Sequence, residues 1–230
     1  MEGQFIVREE VVDMEELLLG IEAFSFLEKE GFPVLKSILT KDENDAVRVA
    51  SDMGFPVALK IASPDIIHKT EIGGIRVPLN DEGEVKKAFR DLVQIFTSSN
   101  PEKRLDGVIV QRLGSGLELI VGTLKDNQFG PVLMFGLGGI FVEAINDVSF
   151  RLIPIEASDA KEMIEELEGY RILTSPRWKT INLAIIENFL LKISRFIEKH
   201  REVQRMDLNP VFISSLGIAI CDARIKIGSA

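Results

Sequence analysis

Phe55-Pro56-Val57-Ala58-Leu59-Lys60, followed by His68-Lys69-Thr70-Glu71-Ile72-Gly73-Gly74, reads as a buried strand ending in a lysine, a turn holding Pro64, and a histidine just ahead of a double glycine. A lysine at a strand end is a compact charge suited to phosphate oxygens. Gly73-Gly74 lets backbone approach an anion with no Cβ in the way. No metal-ligand pattern surrounds His68, so its ring is a candidate for nucleophilic or proton-transfer work. By spacing alone the stretch suits a phosphate site and an ordinary surface loop equally well.

Outward from this stretch the chain alternates helical and strand patterns. Residues 13–29 carry Leu17, Leu18, Ile21, Phe24 and Leu27 at helical spacing and are expected to form one helix stopped by Gly31. A strand is expected over 34–39 and a helix over 41–53 closed by Gly54. Strands follow over 57–61 and 75–79, and then a helix over 84–96 capped by the Asn80-Asp81-Glu82-Gly83 turn. Ser98-Ser99-Asn100-Pro101 is the best break, dividing the chain into 1–100 and 101–230. Beyond it, strands are expected over 107–111, 117–124, 132–135 and 148–153, and helices over 159–167 and 182–199. Two terminal strands, 204–213 and 218–225, are joined by Ser214-Ser215-Leu216-Gly217. The pattern is α+β in two unequal lobes.

The bulk numbers fit a globular protein of 230 residues, 46% hydrophobic and 27% charged. A net charge of −9 disfavours nucleic acid as a partner. The single cysteine, Cys221, forms no internal disulfide and suits a reducing cytoplasm, and the first residues show no export signal. Residues 129–145 are apolar but interrupted by glycines, Pro131 and Glu143, which fits two strands and a glycine loop better than a membrane span.

Asp207 and Asn209 fall on one face of a strand, and a hairpin partner brings Asp222 alongside. Carboxylate and amide oxygens are what Mg²⁺ takes, usually shared with substrate phosphates. Taken by themselves they fit a polar outer hairpin face better, with Asn209-Pro210 starting a bend. Gly136-Leu137-Gly138-Gly139-Ile140 lacks dinucleotide-binding spacing. Arg151 nearby is either a neutraliser of transferring phosphoryl oxygens or an ion-paired surface arginine. His200 reads as a solvated residue at a helix C-terminus.

In order, these pieces resemble the ATP-grasp β subunit of ADP-forming acetyl-CoA synthetase (acetate–CoA ligase, ADP-forming). The motifs stand at residues 54–60 (GFPVALK), 64–75 (PDIIHKTEIGGI), 110–122 (VQRLGSGLELIVG), 129–143 (FGPVLMFGLGGIFVE), 207–210 (DLNP) and 222–225 (DARI). The run over 129–143 is the longest and most specific. The chain departs from the family pattern at Ser175-Pro176-Arg177-Trp178, which keeps an arginine and loses two flanking glycines, and at Arg205, where the family often has Glu.

The resemblance implies an ATP-grasp fold, two α+β lobes closing on ADP/ATP and Mg²⁺. The N-terminal lobe then carries the phosphohistidine loop, and the C-terminal lobe carries the metal and nucleotide residues. It implies reversible conversion of acyl-CoA, ADP and phosphate to acid, CoA and ATP. Phosphoryl passes through a histidine of a CoA-binding α subunit and then His68 to ADP. The segment from about residue 62 to 70 is expected to swing between the two sites. Asp207 or Glu71 is expected to hold the ring or the loop. Lys60 matches the phosphate contact, the Gln111-Arg112-Leu113 backbone the adenine contact, Glu118 the ribose contact, and Asn209 and Asp222 the Mg²⁺ positions. Gly73 and Gly74 frame the phosphates, and Arg151 joins the catalytic set. An α2β2 assembly is expected. A β subunit specific for succinate or another acid, or an inactive nucleotide-binding regulatory subunit, are the alternatives.

Overall fold

The computed structural model describes residues 16–66, 69, 71–139, 146–175 and 181–228. Two antiparallel sheets organise them. The smaller has the order β2-β5-β3-β4, built from β2 (Ser37–Thr40), β3 (Val57–Ala62), β4 (Ile75–Leu79) and β5 (Gly107–Arg112). The larger has the order β1-β11-β9-β6-β7-β8, with β10 also paired to β9. Its strands are β1 (Glu16–Leu19), β6 (Leu117–Asp126), β7 (Gly130–Leu137), β8 (Val148–Leu152), β9 (Val203–Ser214), β10 (Gly217–Ile220) and β11 (Ala223–Ile227).

Each sheet buries one face under helices. In the smaller lobe, α2 (Glu43–Met53) and α3 (Glu82–Ser99) lay Val49, Phe89, Leu92 and Phe96 on Val57, Leu59, Ile61 and Val110. The opposite face, bearing Ala58, Lys60 and Gln111, is left for the other lobe, as strand alternation dictates. In the larger lobe, α1 (Ile21–Lys29), α4 (Ala157–Glu165), α5 (Tyr170–Leu173) and α6 (Leu183–Lys199) close over Leu119, Val121, Phe135 and Leu208.

The caps follow local chemistry. The Asp42 carboxylate accepts from the Asp45 amide at 2.9 Å, and Asp81 accepts from the Glu84 amide at 2.8 Å. Each side chain satisfies an amide that the first helical turn leaves unpaired. Asp81→Ala should therefore cost about 1 kcal/mol in urea unfolding, and a loss below about 0.3 kcal/mol would mean that the cap contributes little.

Four expectations change. Residues 16–19 are strand and not helix, because they pair with β11 through Glu16↔Ile227 to Leu19↔Arg224, and Gly20 at φ +53° turns the chain into α1. The sheets do not part at residue 100: β1 already belongs to the larger sheet, β5 still pairs with β2 and β3, and the chain returns to the larger sheet at Leu117. The strand expected over 218–225 is interrupted at Cys221-Asp222, between β10 and β11. His200 is not solvated. It lies between Glu30 (3.2 Å) and Glu202 (2.8 Å) and packs on the rings of Phe26 and Phe196. No helix among the described residues is long and apolar enough to cross a membrane.

Candidate functional site

The free face of the smaller sheet meets the larger lobe at the Cys221-Asp222 connection. Lys60, on β3 and only 9% exposed, donates from Nζ to the Cys221 carbonyl at 3.2 Å and lies 3.6 Å from its thiol. The next residue, Asp222, lies just before the β9–β11 pairing that begins at Ala223↔Leu208, where the Asn209 amide donates to the Asp222 carbonyl at 3.2 Å. One rung further, Asp207 faces Arg224, with Gly122 of β6 on its other side. A lysine from one lobe and the candidate metal pair from the other thus share one interlobe seam.

Lys69 joins them. Burial pushes its ammonium pKa down, the Asp222 carboxylate pulls it back up, and Lys60 and Arg224 depress it further. Lys60, Lys69 and Arg224 gathered near Asp222 give an anionic ligand cations to meet, since phosphate charge would relieve their mutual repulsion. Sequence reading passed over Lys69, although it directly follows His68 in the motif. The Cys221 thiol has its pKa raised by burial, with the Lys60 ammonium pulling the other way.

Asn209 and Asp222 suit Mg²⁺. Both offer oxygen, Asn209 is exposed and Asp222 half-buried, and among the described residues no cluster of three His, Cys, Asp or Glu competes as a cation site. Two protein oxygens leave most of an octahedron to phosphates and water, as Mg²⁺ prefers.

Glu118 lies on β6, half-buried, where its carbonyl accepts from the Gly138 amide at 2.7 Å. A Cβ on Gly138 would sit 3.0 Å from the Glu118 Cβ, so the glycine run lets the end of β7 close against Glu118. Arg112 is exposed and Leu113 half-buried in the crossing between the lobes, and the Arg112 amide donates to the Lys36 carbonyl at 2.9 Å. The Gln111 side chain is 1% exposed and engaged with Ser37 and Cys221.

Two sequence-derived assignments do not fit this geometry. Gly73 and Gly74 close their own loop, and Gly74 does not present a free amide. The Gly74 amide donates to the Lys69 carbonyl at 2.7 Å, and a Cβ on Gly74 would come within 2.9 Å of that oxygen. Gly73 turns at φ +64°, its carbonyl taken by Arg76 at 2.6 Å. Arg151 lies on the helix-covered face of the larger sheet, opposite Leu133, whereas Asp207 is on the other face. Its guanidinium pairs with Glu166 at 2.5 Å and Glu162 at 3.2 Å, which raise its pKa and take up its donors. His68, Thr70, Glu143 and Arg177, and with them the expected swing of the histidine segment, lie outside the described residues. Glu71 is exposed in the turn before β4.

The model of the ATP-grasp domain matches residues 11–227. The chain is 40% identical over 210 residues to the acetate–CoA ligase [ADP-forming] I subunit beta of Pyrococcus furiosus, covering 90% of each. It is 41% identical over 213 residues to acetate–CoA ligase [ADP-forming] II of Archaeoglobus fulgidus, covering 92% of this chain but only 30% of that longer relative. Among solved structures, it superposes on the Ca. Korarchaeum cryptofilum dinucleotide forming acetyl-coenzyme A synthetase 1 in complex with coenzyme A, Ca-AMPCP and HgCl+. That match has a TM-score of 0.86 at 41% identity and covers 92% and 93% of the two chains. A second structure of that synthetase holds coenzyme A and Mg-AMPPCP with its phosphohistidine segment pointing towards the nucleotide binding site. It superposes with a TM-score of 0.78 at 39% identity, covering 92% of each chain.

Proposed function

Because the chain belongs to the ATP-grasp family, among the β subunits of ADP-forming acetate–CoA ligases, we propose that it is the nucleotide-binding, phosphoryl-transferring part of an ADP-forming acetyl-CoA synthetase. A phosphoryl group arriving from a CoA-binding partner is carried on a ring nitrogen of His68. The N–P bond breaks as an oxygen of the ADP β-phosphate forms its bond to phosphorus, and His68 returns neutral. Acid selection belongs to the partner, in an α2β2 arrangement in the cytoplasm.

The observation that carries this reading is the contact of Lys60 with the Cys221-Asp222 connection, 3.2 Å across the lobes. Lys60 spends one donor on the Cys221 carbonyl and one on its thiol, and keeps a third for phosphate oxygens. Asn209 and Asp222 would hold Mg²⁺, which when bound offsets phosphate charge and aligns the nucleotide. Glu118 takes the ribose and the Gln111-Arg112-Leu113 backbone the adenine. The protein's own work is positioning and charge neutralisation, the usual demand of phosphoryl transfer.

Lys60→Ala tests the site. Losing a charge-assisted contact to phosphate should weaken Mg-ADP binding by about 1.5–3 kcal/mol in calorimetry, roughly ten- to 150-fold. Unchanged affinity would remove Lys60 from the site.

A further inference from the structure

We propose that the Gln111 carboxamide is a positioning residue, a latch between the lobes that holds the Cys221-Asp222 connection and thereby aims the Lys60 ammonium. The inference rests on the reading of Lys60 and Asp222 as nucleotide-side groups. It assigns to the Gln111 side chain a task separate from its backbone.

Gln111 stands on β5, opposite Ala58 and on the same sheet face as Lys60. Its Nε2 donates to Ser37 Oγ at 2.9 Å and to the Cys221 carbonyl at 2.9 Å, which uses both of its hydrogens. Its Oε1 accepts from the Cys221 thiol at 3.4 Å. Ser37 Oγ donates onward to the Leu35 carbonyl at 2.8 Å. The carboxamide is therefore satisfied within the protein, two of its bonds crossing from the smaller lobe to the larger.

The Cys221 carbonyl is shared. Gln111 takes one direction of approach and the Lys60 ammonium, at 3.2 Å, another. An ammonium has three equivalent hydrogens and no preferred orientation of its own, so the Cys221 carbonyl and thiol that hold two of them decide where the third points. The same connection is tied to the candidate metal strand, since the Cys221 amide donates to the Pro210 carbonyl at 2.9 Å. Removing the carboxamide takes one of two donors from the buried Cys221 carbonyl, one partner from the half-buried Ser37 hydroxyl and the acceptor from the buried Cys221 thiol. The seam then loosens just where Lys60, Asn209 and Asp222 must share one phosphate chain.

The chain holds one cysteine, so alkylation of Cys221 by N-ethylmaleimide, read by peptide mass, gauges the seam directly. The experiment uses the full chain with its partner. Gln111→Leu keeps the volume and removes the hydrogen bonds. It should raise KM for Mg-ADP about tenfold or more with kcat within about threefold, and speed Cys221 alkylation about tenfold while a cooperative thermal transition is retained. Ser37→Ala, which keeps both Gln111–Cys221 bonds and takes a partner from one amide hydrogen and the Leu35 carbonyl, should move both readouts the same way by less and serves if Gln111→Leu does not fold. An unchanged KM, or unchanged alkylation, in the folded variant overturns the latch. Unchanged Mg-ADP affinity in Lys60→Ala overturns the underlying site reading, a separate result.

Discussion

His68→Ala is expected to abolish net ATP formation by the chain assembled with its CoA-binding partner, while Mg-ADP affinity stays within about twofold. The asymmetry follows from the division of labour. Lys60, Asp222 and Asn209 are brought to the seam by contacts of their own segments, so binding is expected to survive. The covalent carrier does not survive, because alanine has no nitrogen to form the N–P bond. The flanks of His68 are anchored: Ile66 is 4% exposed in the smaller lobe's core, and Lys69 sits among Lys60, Asp222 and Arg224. A phosphorylated ring needs its second nitrogen held, and Asp207 and Glu71 are the carboxylates to test for that task. Turnover in His68→Ala near the wild-type rate would remove the carrier role outright.

Asp222→Asn should cut kcat/KM for Mg-ADP by roughly 10²-fold or more, with part of the loss recovered at high Mg²⁺. The change preserves shape and removes the only carboxylate of the candidate metal pair. It also removes the charge that pulls the Lys69 pKa upward, leaving Lys60, Lys69 and Arg224 without that counterion. Phosphate binding without metal should therefore weaken less than metal-dependent binding. Equal loss with and without Mg²⁺ would mean that Asp222 acts through the cations and not through a metal.

Helices α2, α3, α4 and α6 were readable in the sequence because their signals are local. Asp42 and Asp81 mark two starts, Gly54 marks an end, and the spacing of Val85, Phe89, Leu92 and Phe96 sets the buried face of α3. Residues 16–19 were not readable. Leu17, Leu18 and Ile21 suit a helix, and only pairing with β11 at the far end of the chain makes the segment a strand. The break at Ser98-Ser99-Asn100-Pro101 is real as a helix end, but β5 beyond it completes the smaller sheet through pairs that no local composition reveals.

The candidate site divides in the same way. Lys60, Asn209 and Asp222 each stand in a motif, and the fold brings their segments to one seam. Arg151 looked available beside a glycine loop until α4 supplied Glu162 and Glu166. Gln111 and Cys221 carry no motif that announces a shared network, since they meet from opposite lobes. The double glycine suggested an anion cradle, whereas Gly74 instead seals the turn against Lys69.

The most direct measurement is phosphorylation of the assembled protein by Mg-ATP labelled in the γ-phosphate, without acid or CoA. The account expects one acid-labile, base-stable phosphoryl group on His68, located by peptide mass, and its return to ATP on addition of ADP. It also expects no label in His68→Ala and slowed labelling in Lys60→Ala. A wild-type protein that binds Mg-ATP but takes no label, or takes it on another residue of this chain, would contradict the account.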